Sequence, residues 1–139
     1  MTVKYLFASH GTFADGTLSF LSIMMGKNEN IYSICCYLDD RSAELQIETE
    51  MKAIGDFDQL IVFCDMHGSS VEQSVFRLLH DDPRILIISG YNIPLALNII
   101  AQEKVLSKVE IRDMIQEAQS GMMLLEAPKI PSPEEEGIF

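Results

Sequence analysis

Short apolar runs alternate along this chain with longer amphipathic segments, and few folds can bury that pattern. Residues 3–8, 31–38, 60–64 and 84–89 are brief, rich in β-branched and aromatic side chains, and bounded by polar or glycine-containing turns. They read as strands covered on both faces. Between them lie segments with helical spacing. Ala14, Leu18, Leu21 and Met25 mark one buried face, and Ala43, Ile47, Met51 and Ile54 a second. Val71, Val75, Leu78 and Leu79 mark a third. Strand and helix in strict alternation predict an α/β domain: a mostly parallel sheet of four strands, helices on both faces, and right-handed crossovers. Ser107 and Glu110 have capping-box spacing and open a last helix carrying Ile111, Ile115 and Ala118. Beyond Gly121, residues 122–125 read as a short fifth strand.

From Pro128 the character changes to three prolines and three consecutive glutamates. Residues 128–139 are therefore expected to be a flexible acidic tail or linker, with the domain occupying residues 1–127. No apolar stretch reaches the roughly 20 residues that span a bilayer. The apolar stretch near the N-terminus ends at Ser9 and His10, too early for a signal peptide, so a cytoplasmic location is expected. The formal net charge of −11 disfavours nucleic acid and anionic lipid and favours basic protein partners. Three cysteines, Cys35, Cys36 and Cys64, all fall in strand-like runs, as buried thiols do.

In open parallel sheets, ligands gather beyond the carboxyl ends of the strands, at the point where strand order reverses. Two segments fall there: Ser9-His10-Gly11 after the first strand and Asp65-Met66-His67-Gly68-Ser69-Ser70 after the third. A strand-end imidazole is either a nucleophile or base, or a structural residue with its bonds satisfied. Gly11 allows close approach of backbone, and the helix start beyond it offers free N–H groups to an anion. Asp65 either orients the imidazole by accepting its other ring N–H or closes a turn. Ser70 either donates a hydroxyl or caps the following helix, for which Ser70 and Gln73 have the spacing. His10, Asp65 and His67 together would make a minimal metal site, but nothing else in the chain supports one, and neither metal nor cofactor is expected. His67 is expected on the surface. His80, beside Asp81 and Asp82, is placed to interact with a helix C-terminus.

Ser9-His10-Gly11 with Ala14 and Gly16, the 65–70 loop, and Gly90-Tyr91-Asn92-Ile93-Pro94-Leu95 together resemble mannose-family IIA domains of the bacterial phosphoenolpyruvate-dependent sugar phosphotransferase system. The resemblance spans about residues 3–126. It implies a phosphotransferase working through a phosphohistidine at His10. The donor would be the histidine phosphocarrier protein, and the acceptor a histidine of a IIB component that serves a membrane IIC/IID permease. It assigns Asp65 as the active-site carboxylate and Ser70 as the active-site serine, with Gly11 in support. It also implies a homodimer in which an antiparallel strand, matched by residues 122–125, is exchanged between subunits. His67, Ser69 and Val71 depart from the family loop. Two alternatives stand beside it: the IIA-like phosphocarrier subunit of a dihydroxyacetone kinase, and a regulatory module that senses phosphorylation state.

Overall fold

A computed structural model describes residues 1–129; residues 130–139 lie outside the described residues. The elements run β1 (Val3–His10), α1 (Phe13–Met25), β2 (Ile31–Cys36), α2 (Ala43–Ile54), β3 (Gln59–Cys64), α3 (Ser70–Leu79), β4 (Ile85–Ser89), α4 (Ile93–Gln102) and α5 (Lys108–Gln119). The four strands form one sheet in the order β2-β1-β3-β4, and every pairing is parallel. The α/β expectation is met in element type, order and approximate limits.

Period-2 alternation sends successive strand residues to opposite faces, and each face has its own cover. Tyr5, Phe7, Ile61 and Phe63 point into a core completed by Ala14 and Leu21 of α1, Leu95, Ala96, Ile99 and Ile100 of α4, and Ile111 of α5. Leu6, Ala8, Leu60, Val62 and Cys64 point the other way, against Ala43, Ile47 and Ile54 of α2 and Val71, Val75 and Leu79 of α3. β1 and β3 are buried on both sides, which is why they read as continuous apolar runs rather than alternating ones. All three cysteines are free; Cys36 and Cys64 are buried and Cys35 partly so.

Helix ends follow local chemistry. Ser42, Asn92 and Ser107 each accept a hydrogen bond from a first-turn backbone N–H, and Ser107 with Glu110 completes the anticipated capping box. Pro94 sits in the first turn of α4, where its missing N–H costs nothing. No helix among the described residues is long and apolar enough to cross a membrane.

Two expectations need correction. β2 stops at Cys36 rather than continuing to residue 38, because Tyr37 turns the chain with φ +66°. Residues 122–125, expected as a fifth, antiparallel strand, form no strand within this chain, and all four side chains are exposed. A strand needs a partner edge, and no backbone hydrogen bond joins these residues to β4.

The topology fixes where chemistry can happen. From β1 the chain moves to β2 on one side, and later to β3 on the other, so strand order reverses between β1 and β3. His10 ends β1, and Asp65 follows the last residue of β3.

Candidate active site at the ends of β1 and β3

Asp65 gathers the site. Its Oδ2 accepts from the His10 backbone N–H at 2.8 Å and from His10 Nδ1 at 2.8 Å. Its Oδ1 accepts from the Met66 backbone N–H at 2.8 Å and from the Ser69 hydroxyl at 3.0 Å. Burial acts to raise its pKa, but the hydrogen bonds from His10, Ser69 and Met66 outweigh burial and hold the carboxyl below the ordinary value of 3.8. Asp65 is therefore ionised at neutral pH and can only accept, so His10 Nδ1 carries the proton. In the neutral ring the lone pair then lies on Nε2. The imidazole is about half exposed, whereas Asp65 is 12% exposed, so the ring meets solvent while its partner lies beneath.

Ser70 Oγ lies 3.4 Å from Nε2. The capping expected of Ser70 falls instead to Ser69, whose hydroxyl accepts from the Glu72 N–H at 3.2 Å. That one-residue shift makes Ser70 the first residue of α3 and leaves its hydroxyl free to face the histidine. The start of α3 therefore lies on the Nε2 side of the ring. Gly11, at φ +54°, turns the chain into α1, but its N–H is taken by the Cys36 carbonyl at 2.9 Å. Its contribution is the left-handed turn, a conformation in which a side chain would be strained.

Several supporting residues have no role assigned from the sequence. Ser9, fully buried, accepts from the Ala14 N–H at 2.8 Å and so ties β1 to the start of α1. Tyr91 closes the floor with Phe7 and Phe63, its hydroxyl 2.6 Å from Thr17 Oγ1. Glu72 holds the 65–70 loop from below. It accepts from the Gly68 N–H at 3.0 Å and from the Ser89 hydroxyl, and its Oε1 lies 3.1 Å from His67 Nδ1. A glutamate three residues after a serine is a capping signature, and it was legible at Ser69.

His67 is 87% exposed, as expected, and its ring turns toward Glu72 and Ser89 rather than toward His10. No group of three or more His, Cys, Asp or Glu side chains among the described residues is arranged to hold a metal ion. His80 caps α3; its Nδ1 lies 2.8 Å from the Phe76 carbonyl and its Nε2 3.1 Å from Asp81.

A family model described as EIIA-man, PTS system fructose IIA component, matches residues 4–116. The chain belongs to that family. It is an EIIA-type domain of the phosphotransferase system, a family of phosphoryl carriers within that cascade. Among curated proteins none matches the chain. A solved structure from Klebsiella pneumoniae, provisionally assigned as a phosphoenolpyruvate-dependent sugar phosphotransferase system permease, is 28% identical. It covers 89% of this chain and 91% of its own, with a TM-score of 0.79. The IIA protein associated with a fucose utilization operon in Streptococcus pneumoniae is 22% identical over 89% and 93% of the two chains, TM-score 0.77. The mannose/sorbose-specific IIA subunit from Enterococcus faecalis is 18% identical over 94% and 100%, TM-score 0.76. At those identities the last two speak for the shared fold alone. The EIIA domain thus carries its histidine and carboxylate at the switch point of a four-stranded parallel sheet.

Proposed function

We propose that this EIIA domain carries a phosphoryl group on His10 Nε2, taking it from the histidine phosphocarrier protein and passing it to a histidine of a IIB component. One observation carries the reading: Asp65 occupies Nδ1 at 2.8 Å, which leaves the lone pair on Nε2, beside the Ser70 hydroxyl and the N-terminus of α3. In the first transfer the N–P bond of the donor phosphohistidine breaks as a new N–P bond forms at Nε2, and the donor imidazole departs with its electron pair. The His10 ring retains its Nδ1 proton and becomes positively charged, and the Asp65 carboxylate offsets that charge. The protein's task is in-line positioning and stabilisation of the negative charge on the moving phosphoryl group. Ser70 and the first turn of α3 supply donors for its oxygens, while Gly11 shapes the turn beneath the ring. Onward transfer to IIB repeats the exchange in reverse roles. No cofactor enters either step.

Partner docking draws support from the rim of the site, where Phe13 and Met66 are each more than half exposed. The net charge of −11 steers basic protein faces toward it. We place the domain in the cytoplasm, feeding a IIC/IID permease indirectly, with residues 128–139 as a tail or linker. We also propose a homodimer in which residues 122–125 of each chain pair with its partner's β4. Among the described residues β4 is the last strand of the sheet and has one unpaired edge, flanked by a groove of about 380 Å³ lined by Ile85, Ile87, Ile111 and Ile115. Residues 122–125 are Met-Met-Leu-Leu, and an apolar segment exposed in the single chain fits such an edge.

The test is onward transfer. Protein labelled from phosphoenolpyruvate through enzyme I and the histidine phosphocarrier protein is mixed with purified IIB and, separately, with the remaining subunits of a dihydroxyacetone kinase. Discharge to IIB supports the sugar pathway. Discharge to the kinase alone, or to neither, transfers the reading to one of the alternatives.

A further inference from the structure

Tyr37 is absent from the functional residues that the sequence suggested, yet its placement is unusual in three ways. It adopts φ +66° although it is neither glycine nor asparagine, a conformation unfavourable for a bulky side chain. Its ring is half exposed, so burial in the core does not account for it. It also reaches the site directly: the ring centroid lies 5.0 Å from that of His10, and the hydroxyl lies 2.8 Å from Ser70 Oγ. The residue before it is anchored to the same place, since Cys36 pairs with His10 in the sheet and its carbonyl accepts from Gly11 N–H at 2.9 Å. The left-handed turn at Tyr37 is thus held in fixed relation to the histidine.

The hydrogen-bond directions follow from the carboxylate. Asp65 can only accept, so Nδ1 is protonated and Nε2 is an acceptor. A hydrogen bond between Ser70 and Nε2, long at 3.4 Å, therefore has the Ser70 hydroxyl as its donor. With its proton so committed, Ser70 Oγ is the acceptor in its bond with Tyr37, and the tyrosine hydroxyl is the donor. A single ordered chain results: tyrosine to serine to imidazole.

We propose that Tyr37 is a positioning residue for phosphoryl transfer, holding the Ser70 hydroxyl in the orientation that meets the phosphoryl group and shielding one side of the imidazole. When the Nε2 lone pair enters the N–P bond, the serine proton loses its acceptor there and turns to a phosphoryl oxygen. The tyrosine hydroxyl keeps Ser70 Oγ in place during that turn. The backbone cost at position 37 is retained because it delivers this donor, as strain at functional sites commonly does. The proposal rests on the phosphoryl-carrier reading given above.

Single-turnover transfer from phosphorylated histidine phosphocarrier protein tests it, with the parent chain, Tyr37→Phe, Ser70→Ala, the double variant and Tyr37→Gly compared across donor concentrations. Loss of one such hydrogen bond predicts about a five- to tenfold lower maximal rate for Tyr37→Phe, at an unchanged half-saturating donor concentration. The double variant should be no slower than Ser70→Ala, because without Ser70 the tyrosine hydroxyl has nothing to hold. Tyr37→Gly should melt no lower than the parent chain, being relieved of its backbone strain, and still transfer at least as slowly as Tyr37→Phe. A Tyr37→Phe chain as fast as the parent overturns the proposal. So does a Tyr37→Phe effect that persists in full without Ser70. A loss confined to half-saturation also overturns it, since that would make Tyr37 a docking contact. Failure of the parent chain to accept phosphate at all would refute the phosphoryl-carrier reading itself, and this proposal with it.

Discussion

Replacing Asp65 by asparagine alters the site in a way that can be followed bond by bond. The carboxylate accepts four hydrogen bonds, two on each oxygen: the His10 backbone and ring on Oδ2, Met66 N–H and the Ser69 hydroxyl on Oδ1. An amide has one carbonyl oxygen, so its NH₂ must replace one of these acceptors. With the NH₂ toward His10 it opposes the backbone N–H and donates to Nδ1, driving the ring proton onto Nε2 and removing the nucleophilic lone pair. With the NH₂ toward Met66 the tautomer survives, but a backbone N–H is opposed there instead. In both arrangements the negative charge is gone from beside a ring that must become positive. A hydrogen bond to a charged group is worth about 1.5–3 kcal/mol. Asp65 is largely buried and the ring beside it becomes fully charged, so the loss in the transition state takes the upper part of that range, about 2–3 kcal/mol. That corresponds to a transfer rate lower by about 30- to 150-fold. Quenched-flow measurement of phosphoryl transfer to Asp65→Asn, with a thermal melt to verify folding, reads this directly. A folded Asp65→Asn protein that accepts phosphate as fast as the parent chain would refute the charge and tautomer reasoning together.

Two further outcomes are expected. Burial pushes Cys36 up to about 11 and Cys64 up to about 12, from 9.0 when unfolded, so the native state favours the protonated thiols. Their contribution to stability is whole below the unfolded value and is lost as pH rises from 9.0 through those folded values. At neutral pH iodoacetamide should leave both thiols unmodified until the protein unfolds, and rapid modification of Cys64 in folded protein would contradict its burial. Deleting residues 121–139 should convert a dimer into monomers or aggregates by light scattering. A truncated chain that stays a stable dimer removes residues 122–125 from the interface.

The fold was legible because hydrophobic period carries it. Leu60 to Cys64 is a continuous apolar run, and the structure buries it on both faces. Ala14 and Leu21 recur at helical spacing and share one core. The switch-point rule then brought His10 and Asp65 together from opposite ends of 55 residues of sequence, where the structure puts them 2.8 Å apart. What escaped was set by single-residue geometry. Ser69 and Ser70 are chemically identical neighbours, and a one-position shift in helix start decides which caps and which faces the histidine. Tyr37 looked like strand because its side chain favours strands, whereas its backbone is left-handed. Residues 122–125 have strand chemistry without a partner in their own chain, and pairing between chains is not a local property of sequence.

The phosphoryl-carrier reading depends on His10 being the phosphoryl acceptor among the three histidines. The decisive measurement is intact-mass and acid-lability analysis after incubation with phosphoenolpyruvate, enzyme I and the histidine phosphocarrier protein. It is made on the parent chain, His10→Ala and His67→Ala. His10 presents Nε2 to Ser70, whereas His67 is tied to Glu72 and Ser89, and His80 sits at the C-terminal end of α3, where the partial charge is negative. The parent chain and His67→Ala should each take up one acid-labile phosphate per subunit, and folded His10→Ala should take up none. Labelling that persists in His10→Ala and vanishes in His67→Ala would contradict the assignment.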